Sequence, residues 1–160
     1  MADMDTPNIR PFLDTIAVSE LGRALLAKSD NGYNVLVGST PSAPILFHSY
    51  ADHPRRLIQI RPGLSSTAAG RYQLLARYYN PYRQLLGLAD FSPASQDRIA
   101  VQQIRERLAL PLIAAGRFDD AVSRVRNIWA SLPGAGYGQN EHSLDYLRGV
   151  YVAAGGQRAA

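Results

Sequence analysis

The sequence predicts an α+β fold, in which a mainly helical chain carries one small antiparallel sheet. Apolar side chains recur at helical spacing over residues 9–21 and over much of the chain after residue 67. Residues 31–66 break that period and are rich in Gly, Pro, Ser and β-branched residues, as in short strands joined by turns. No repeat or long linker divides the 160 residues. We therefore expect one domain over residues 1–160, with a flexible N-terminus over residues 1–8.

The first helix is predicted over residues 9–21, where Pro11 is tolerated in the opening turn. Gly22 weakens it, and residues 23–28 fit either a helical turn or the start of a strand. Three short strands are predicted in the segment that follows: Tyr33 to Val37, Ile45 to His48, and Leu57 to Ile60.

The remainder is predicted to be helical, with starts and stops set by capping residues. The predicted helices cover residues 68–79, the segment from Asn80-Pro81 to Gly87, a segment starting at Ser92-Pro93, the apolar stripe from Phe118 to Trp129, and a last helix capped by Asn140 and ended by Gly155-Gly156. A helical lobe beside a small sheet would leave a cleft between the two.

Charge and composition narrow the functional classes. The net charge of +4 comes from sixteen arginines and one lysine against thirteen carboxylates, which favours attraction to polyanions such as bacterial wall polymers. The arginines are dispersed and no nucleic-acid recognition motif occurs, so nucleic acid is not expected as a partner. There is no cysteine to form a disulfide and no apolar run of the roughly 20 residues that span a bilayer. Residues 1–7 are acidic and lack the basic and apolar regions of a signal peptide, so none is expected. Synthesis in a cytoplasm is expected.

Glu20 is the first candidate catalytic residue. Leu13, Ile16 and Glu20 are spaced at i, i+3 and i+7, so they share the apolar face of the first predicted helix. A carboxylate at the end of that face is partly desolvated, which raises its pKa and suits a general acid. The alternative is a carboxylate that caps or pairs at a helix end.

Three ordered segments carry a family resemblance: Ser19-Glu20, Gly70-Arg71-Tyr72-Gln73 and Gly136-Tyr137-Gly138-Gln139. Longer blocks surround them, including residues 31–38, 49–55, 67–75, 91–97 and 127–139. In this order they resemble the lysozyme-like lytic transglycosylases, and most closely the endolysins of lambda-type bacteriophages. The resemblance covers nearly the whole chain. One departure is Leu21, which stands directly after the glutamate where such endolysins usually have Gly.

The resemblance implies a lysozyme-like fold and assigns roles residue by residue. Glu20 would be the general acid. The amide of Gln73 would hold a sugar N-acetyl or hydroxyl group, since it both donates and accepts. Other implied substrate contacts are Tyr72, Arg71, Tyr137, Gln139, Tyr33, Asn34 and Tyr50. Tyr72 could equally belong to the core, Arg71 to a structural ion pair, and Tyr137 and Gln139 to a hinge-like loop. Asn34 replaces an Asp that many relatives carry.

The implied activity is cleavage of the β-1,4 bond from N-acetylmuramic acid to N-acetylglucosamine in peptidoglycan, for lysis of the host cell. Hydrolysis would need a second carboxylate, and the sheet segment offers only Asp30 and Asp52. The resemblance marks neither of them as catalytic, so transglycosylation to 1,6-anhydro ends is expected. The alternatives are a hydrolytic muramidase and a non-enzymatic wall-binding or tail-structural protein.

The enzyme would be a monomer without a cofactor. No metal is expected, because His48, Asp52 and His53 match no zinc spacing. It would need a holin to reach the periplasmic wall. Glu106 and Glu141 are expected to be structural, Glu141 in the first turn of the last helix.

Overall fold

Apolar periodicity predicts the first helix correctly. In the computed structural model, which describes residues 2–136 and 141–159, helix α1 spans Ile9–Leu21. Its buried face includes Phe12, Leu13 and Ile16, which are almost completely shielded from solvent. Residues 23–28 resolve to a helix, since α2 spans Arg23–Ala27.

The N-terminal segment, from Ala2 onward, makes contacts with later parts of the chain. Ala2–Asp5 forms a 3-10 helix, and Asp3 makes an ion pair with Arg105. Asn8 adds two hydrogen bonds: its Nδ2 donates to the carbonyl of Ile113 at 3.1 Å, and its Oδ1 accepts from the Gln157 amide at 3.1 Å. These long-range contacts attach the segment to distant parts of the chain.

The sheet is smaller than predicted and lies later in the sequence. Strands β1 (Ile58–Arg61) and β2 (Leu64–Ser66) pair antiparallel, with Ile58 opposite Ser66 and an irregularity in register between Gln59 and Arg61. The first two predicted strands are wrong as strands, because they form only isolated bridges, Val35 with Leu46 and Leu36 with Ala69. Turn-forming Gly and Pro residues close to these bridges keep the pairing from extending.

The helix predicted over residues 68–79 is wrong. Gly70 and Gln73 adopt positive φ angles of 85° and 53°, and Ala69 forms a bridge with Leu74, so the segment is a tight turn. Helix α3 begins afterwards and spans Ala76–Leu86, with Pro81 inside it. Asn80-Pro81 is therefore not a helix start.

The remaining helices follow the predicted order with changed boundaries. They are α4 (Pro93–Glu106), α5 (Leu110–Ala114), α6 (Phe118–Val125) and α7 (Leu144–Ala153). The start of α4 and the end of α3 at Gly87 are as predicted, whereas α5 was not predicted and α6 ends before Trp129. Ser143 caps α7 by accepting a hydrogen bond from the Tyr146 amide at 3.1 Å. The predicted cap, Asn140, lies outside the described residues.

The chain forms two compact units: Met1–Glu20 with Ala100–Ala160, and Leu21–Ile99. In the first unit, the rings of Phe12, Phe118 and Tyr151 pack with centroids 4.4–6.4 Å apart. In the second, Phe91 packs against Phe47 and Tyr79. Within the described residues, no helix is both long and apolar enough to cross a membrane.

Candidate active site

Glu20 is the penultimate residue of α1. The helix ends beyond it because Gly22 adopts a φ of 80°, a conformation that side-chain-bearing residues rarely take. The residues before Glu20 on the same helix are core residues, and Ser19 itself is buried. Glu20 is half-buried, so its carboxyl lies at the boundary between the apolar interior and solvent.

Burial raises the pKa of the Glu20 carboxyl to about 7. A hydrogen bond from the Ser131 side chain acts in the opposite direction and keeps the pKa from rising further. A glutamic acid with this pKa carries its proton in a large fraction of molecules at neutral pH. It can therefore both donate a proton and take one back, as a general acid and base must.

Ser131 and His142, which sequence reasoning did not single out, hold the end of α1. The hydroxyl oxygens of Ser19 and Ser131 lie 2.7 Å apart. The His142 Nε2 lies 3.0 Å from the Ser19 carbonyl, and the His142 backbone amide donates to the Ser131 carbonyl at 3.0 Å. Ser131 lies in a segment that carries the family resemblance, but nothing in the sequence shows that this serine meets Glu20.

Glu141 precedes α7, so the expectation that it occupies the first turn of that helix is wrong. Its two carboxylate oxygens accept hydrogen bonds from the backbone amides of Gly134 and Gly136, at 2.9 and 3.0 Å. These two amides lower the pKa of the Glu141 carboxyl. Tyr137 and Gln139, two of the predicted substrate contacts, lie outside the described residues.

In the second unit, the structure brings Tyr33, Arg71 and Tyr72 together around Asp97. Both tyrosine hydroxyls donate to the same Asp97 oxygen, Tyr33 at 2.9 Å and Tyr72 at 2.6 Å, and Arg71 Nη1 donates to the Tyr72 hydroxyl at 3.0 Å. All four residues are at least nine-tenths buried. This burial favours the core alternative for Tyr72 and a structural role for Arg71.

Gln96 fixes the turn that contains Gly70. Its Oε1 accepts from the Arg71 amide at 2.9 Å, and its Nε2 donates to the carbonyls of Tyr33 and Phe91. The Gln96 amide occupies the space that a Cβ at Gly70 would need, which explains why glycine stands there. Gln96 and Asp97 were not among the predicted site residues.

Gln73 is half-buried and adopts a positive φ of 53°. Its Nε2 donates to the Gly70 carbonyl at 2.8 Å and to the Val35 carbonyl at 3.4 Å. Within residues 2–136 and 141–159, no donor contacts its Oε1. The side chain is thus held by backbone carbonyls with one acceptor oxygen remaining.

Asn34 and Tyr50 meet at Asp30. The Tyr50 hydroxyl donates to Asp30 Oδ2 at 2.6 Å, and Asn34 Oδ1 accepts from the Asp30 amide at 2.9 Å. Burial, followed by the hydrogen bond to Asp30, raises the pKa of Tyr50. The other carboxylate considered for hydrolysis, Asp52, forms an ion pair with Arg55 at 3.0 Å, and this contact lowers its pKa.

His53 and Glu106, which were also singled out in the sequence, form hydrogen bonds. His53 is buried, with Nε2 2.8 Å from the Leu74 carbonyl and Nδ1 accepting from the Arg55 amide at 2.9 Å. Glu106 accepts from Gln102 Nε2 at 3.0 Å on the exposed surface of α4. Among the described residues, no three histidines or carboxylates are arranged to hold a metal ion.

The α+β fold and the partly buried glutamic acid at the end of α1 define an enzyme of the lysozyme type. The chain is similar to the solved structure of bacteriophage lambda lysozyme complexed with a chitohexasaccharide, with a TM-score of 0.87 and 50% identity over 95% of this chain and 96% of that one. A second structure, lysozyme from bacteriophage lambda, gives a TM-score of 0.83 and 48% identity with the same coverage.

Sequence comparison gives the family. The family model Endolysin matches residues 10–158. The endolysin of Escherichia phage lambda is 53% identical over 148 residues, 92% of this chain and 90% of the relative. The endolysin of Escherichia phage P2 is 52% identical over 154 residues, 93% of both chains. The chain belongs to the endolysin family, and the predicted resemblance and lysozyme-like fold are confirmed.

Proposed function

We propose that this endolysin cleaves the β-1,4 bond from N-acetylmuramic acid to N-acetylglucosamine in peptidoglycan by intramolecular transglycosylation. The observation that carries the proposal is Glu20, a half-buried glutamic acid whose pKa of about 7 lets it hold and release a proton at neutral pH. The products would be glycan strands that end in 1,6-anhydro-N-acetylmuramic acid.

Glu20 serves both steps of this reaction. It first donates its proton to the glycosidic oxygen as the bond from that oxygen to C1 of muramic acid breaks, and positive charge develops at the sugar ring. The resulting carboxylate then takes the proton from the C6 hydroxyl of the same muramic acid while O6 bonds to C1. No water is consumed, and Glu20 ends in its starting protonated form. The hydrogen bond from Ser131 supports the carboxylate between the steps.

The contacts of the two other candidate carboxylates favour transglycosylation over hydrolysis. Hydrolysis needs a second carboxylate that acts as a nucleophile or activates water. Asp52 forms an ion pair with Arg55, and Asp30 accepts a hydrogen bond from the Tyr50 hydroxyl, so neither is an unpartnered base. A hydrolytic muramidase that uses one of these residues is the alternative.

Polar side chains of the second unit are the next expected substrate contacts. We expect Gln73 Oε1 to accept from a sugar acetamide N–H, because Nε2 is bound to backbone. Asn34 and Tyr50 would contact sugar hydroxyls and ring faces. The role of Tyr33, Arg71 and Tyr72 would be indirect: they would hold the turn that carries Gln73. Tyr137 and Gln139 complete the expected contacts. A holin would give the enzyme access to the periplasmic wall.

Mass spectrometry of digested peptidoglycan tests the reaction outcome. Anhydro ends lack one water relative to reducing ends and resist borohydride reduction. Products that are chiefly anhydro and borohydride-resistant would support transglycosylation. Chiefly reducible muramic acid would overturn it in favour of hydrolysis, and Asp30→Asn and Asp52→Asn would then identify the second carboxylate.

A further inference from the structure

Gln96 lies in the first turn of α4, and its side chain is 3% exposed. Three of its hydrogen-bonding sites are bound to backbone. Oε1 accepts from the backbone N–H of Arg71 at 2.9 Å, and Nε2 donates to the carbonyls of Tyr33 at 3.0 Å and Phe91 at 2.9 Å. A buried amide that lost these partners would carry the desolvation cost of its polar atoms. Gln96 is therefore fixed in one orientation, and it joins three separate segments of the second unit.

The turn that Gln96 contacts has a backbone conformation that its own residues do not favour. Gly70 and Gln73 adopt positive φ angles of 85° and 53°, and residues with a side chain seldom adopt the second. Such a conformation persists only where surrounding contacts hold it. The Gln96 side chain fills the space that a Cβ at Gly70 would need and binds the next residue, Arg71. Gln96 thus supplies tertiary contacts that hold this turn, and it does so from a helix.

The same turn sets the orientation of the Gln73 side chain. Gln73 Nε2 donates to the Gly70 carbonyl at 2.8 Å and to the Val35 carbonyl at 3.4 Å. Because both partners are acceptors, turning the amide over would bring Oε1 against a carbonyl oxygen. The amide therefore keeps Nε2 on the backbone and Oε1 available for a donor. This orientation depends on the position of the Gly70 carbonyl, and so on the conformation of the turn.

We propose that Gln96 is a positioning residue for glycan binding, which holds the turn of residues 70–73 in the conformation that presents Gln73 Oε1 to a sugar N–H or O–H donor. This inference rests on the proposed function, in which Gln73 contacts the substrate. Gln96 is buried and does not contact the sugar, so its effect on glycan affinity passes through Gln73. That dependence on Gln73 distinguishes a positioning residue from one that only stabilises the fold.

Two substitutions change the hydrogen bonds of Gln96 and keep its approximate size. Gln96→Met has a similar length and makes none of the three hydrogen bonds. Gln96→Glu keeps an acceptor for the Arg71 N–H, and burial favours its neutral form, which donates to one of the two carbonyls. Ser95→Ala is the matched control, because Ser95 is buried in the same helix and its hydroxyl bonds to Asp90 and Ser92 rather than to the turn.

The experiment is a double-mutant cycle on binding to soluble uncrosslinked glycan strands, measured by titration calorimetry in the Glu20→Gln background so that no substrate is cleaved. Circular dichroism confirms that each variant is folded at the temperature of the titration. We expect Gln96→Met to bind about five- to tenfold more weakly, a loss no larger than that of Gln73→Asn, and Gln96→Glu to lose less than Gln96→Met. When Gln73→Asn is already present, both Gln96 substitutions should change affinity less than about twofold. Ser95→Ala should change it less than about twofold with either residue at position 73.

Three results would overturn the inference. The first is unchanged glycan affinity in the folded Gln96 variants. The second is a loss of the same size with Gln or Asn at position 73, which would make the effect independent of Gln73. The third is unchanged affinity in Gln73→Asn alone, which would remove the contact on which the inference rests.

Gln96→Glu gives the same comparison on its own if Gln96→Met does not fold. Failure of the proposed reaction appears separately, as normal turnover in Glu20→Gln or as chiefly reducible muramic acid in the digest. Neither of those results would alter the coupling between Gln96 and Gln73 that the binding cycle measures.

Discussion

Replacing Glu20 with Gln should stabilise the folded protein, and the gain should grow with pH. The pKa of Glu20 is raised from 4.5 to about 7 by burial, so between those pH values the folded state keeps a proton that the unfolded chain has released. The contribution of protonated Glu20 to the free energy of unfolding of the wild type is therefore fully present below pH 4.5 and is lost as the pH rises through 7. Glutamine has no proton to lose and avoids the cost of a buried charge.

The size of the effect follows from the pKa difference. At about 1.36 kcal/mol per pKa unit, a rise from 4.5 to about 7 corresponds to roughly 3 kcal/mol, an upper bound for a half-buried group that water still reaches. We expect the Glu20→Gln protein to gain about 1–3 kcal/mol over wild type between pH 4 and pH 8.5. For a chain of this size, that is about 3–10 °C in Tm.

Urea unfolding of both proteins at several pH values measures the gain as a difference in the free energy of unfolding. The pH dependence of that difference is decisive, because any constant effect of placing an amide at position 20 cancels. A flat difference for Glu20→Gln, or one that shrinks as pH rises, would refute the claim that burial of this carboxyl costs stability.

Three further predictions follow from the same contacts. Turnover should fall above about pH 7, because Glu20 then ionises and can no longer donate a proton. In Ser131→Ala this fall should occur at higher pH, because the substitution removes a hydrogen bond that lowers the pKa of Glu20. A shift of the fall to lower pH would contradict this. His53 is buried with a lowered pKa, so stability should fall as pH drops below 6.5, and His53→Gln should flatten that acid loss in urea titrations. Gln73→Asn, which tolerates the positive φ but has a shorter reach, should weaken binding to glycan strands by about 0.5–1.5 kcal/mol, whereas Glu106→Gln should not.

Local sequence signals predicted those elements that local physics determines. Helix α1 matches its predicted residues because a continuous apolar period and the following Gly22 agree on its extent. The segment from residue 68 failed because its composition favours a helix, while the contact of Gly70 with Gln96 imposes a turn. Strand β2 carries Ser65 and Ser66 and no apolar alternation, so nothing in its own residues predicts a strand; pairing with β1 creates it.

The candidate active site also combines features that the local sequence determines with features that only tertiary contacts determine. The raised pKa of Glu20 was predictable because the cause, burial at the end of an apolar face, is local to one helix. Ser131, which tunes that pKa, meets Ser19 across 112 residues of sequence, and no periodicity or spacing connects the two. A hydroxyl placed by the fold thus modifies an acid placed by the helix. The acid's identity can be inferred from its own segment, whereas the pH range over which it works depends on a contact that only the folded chain creates.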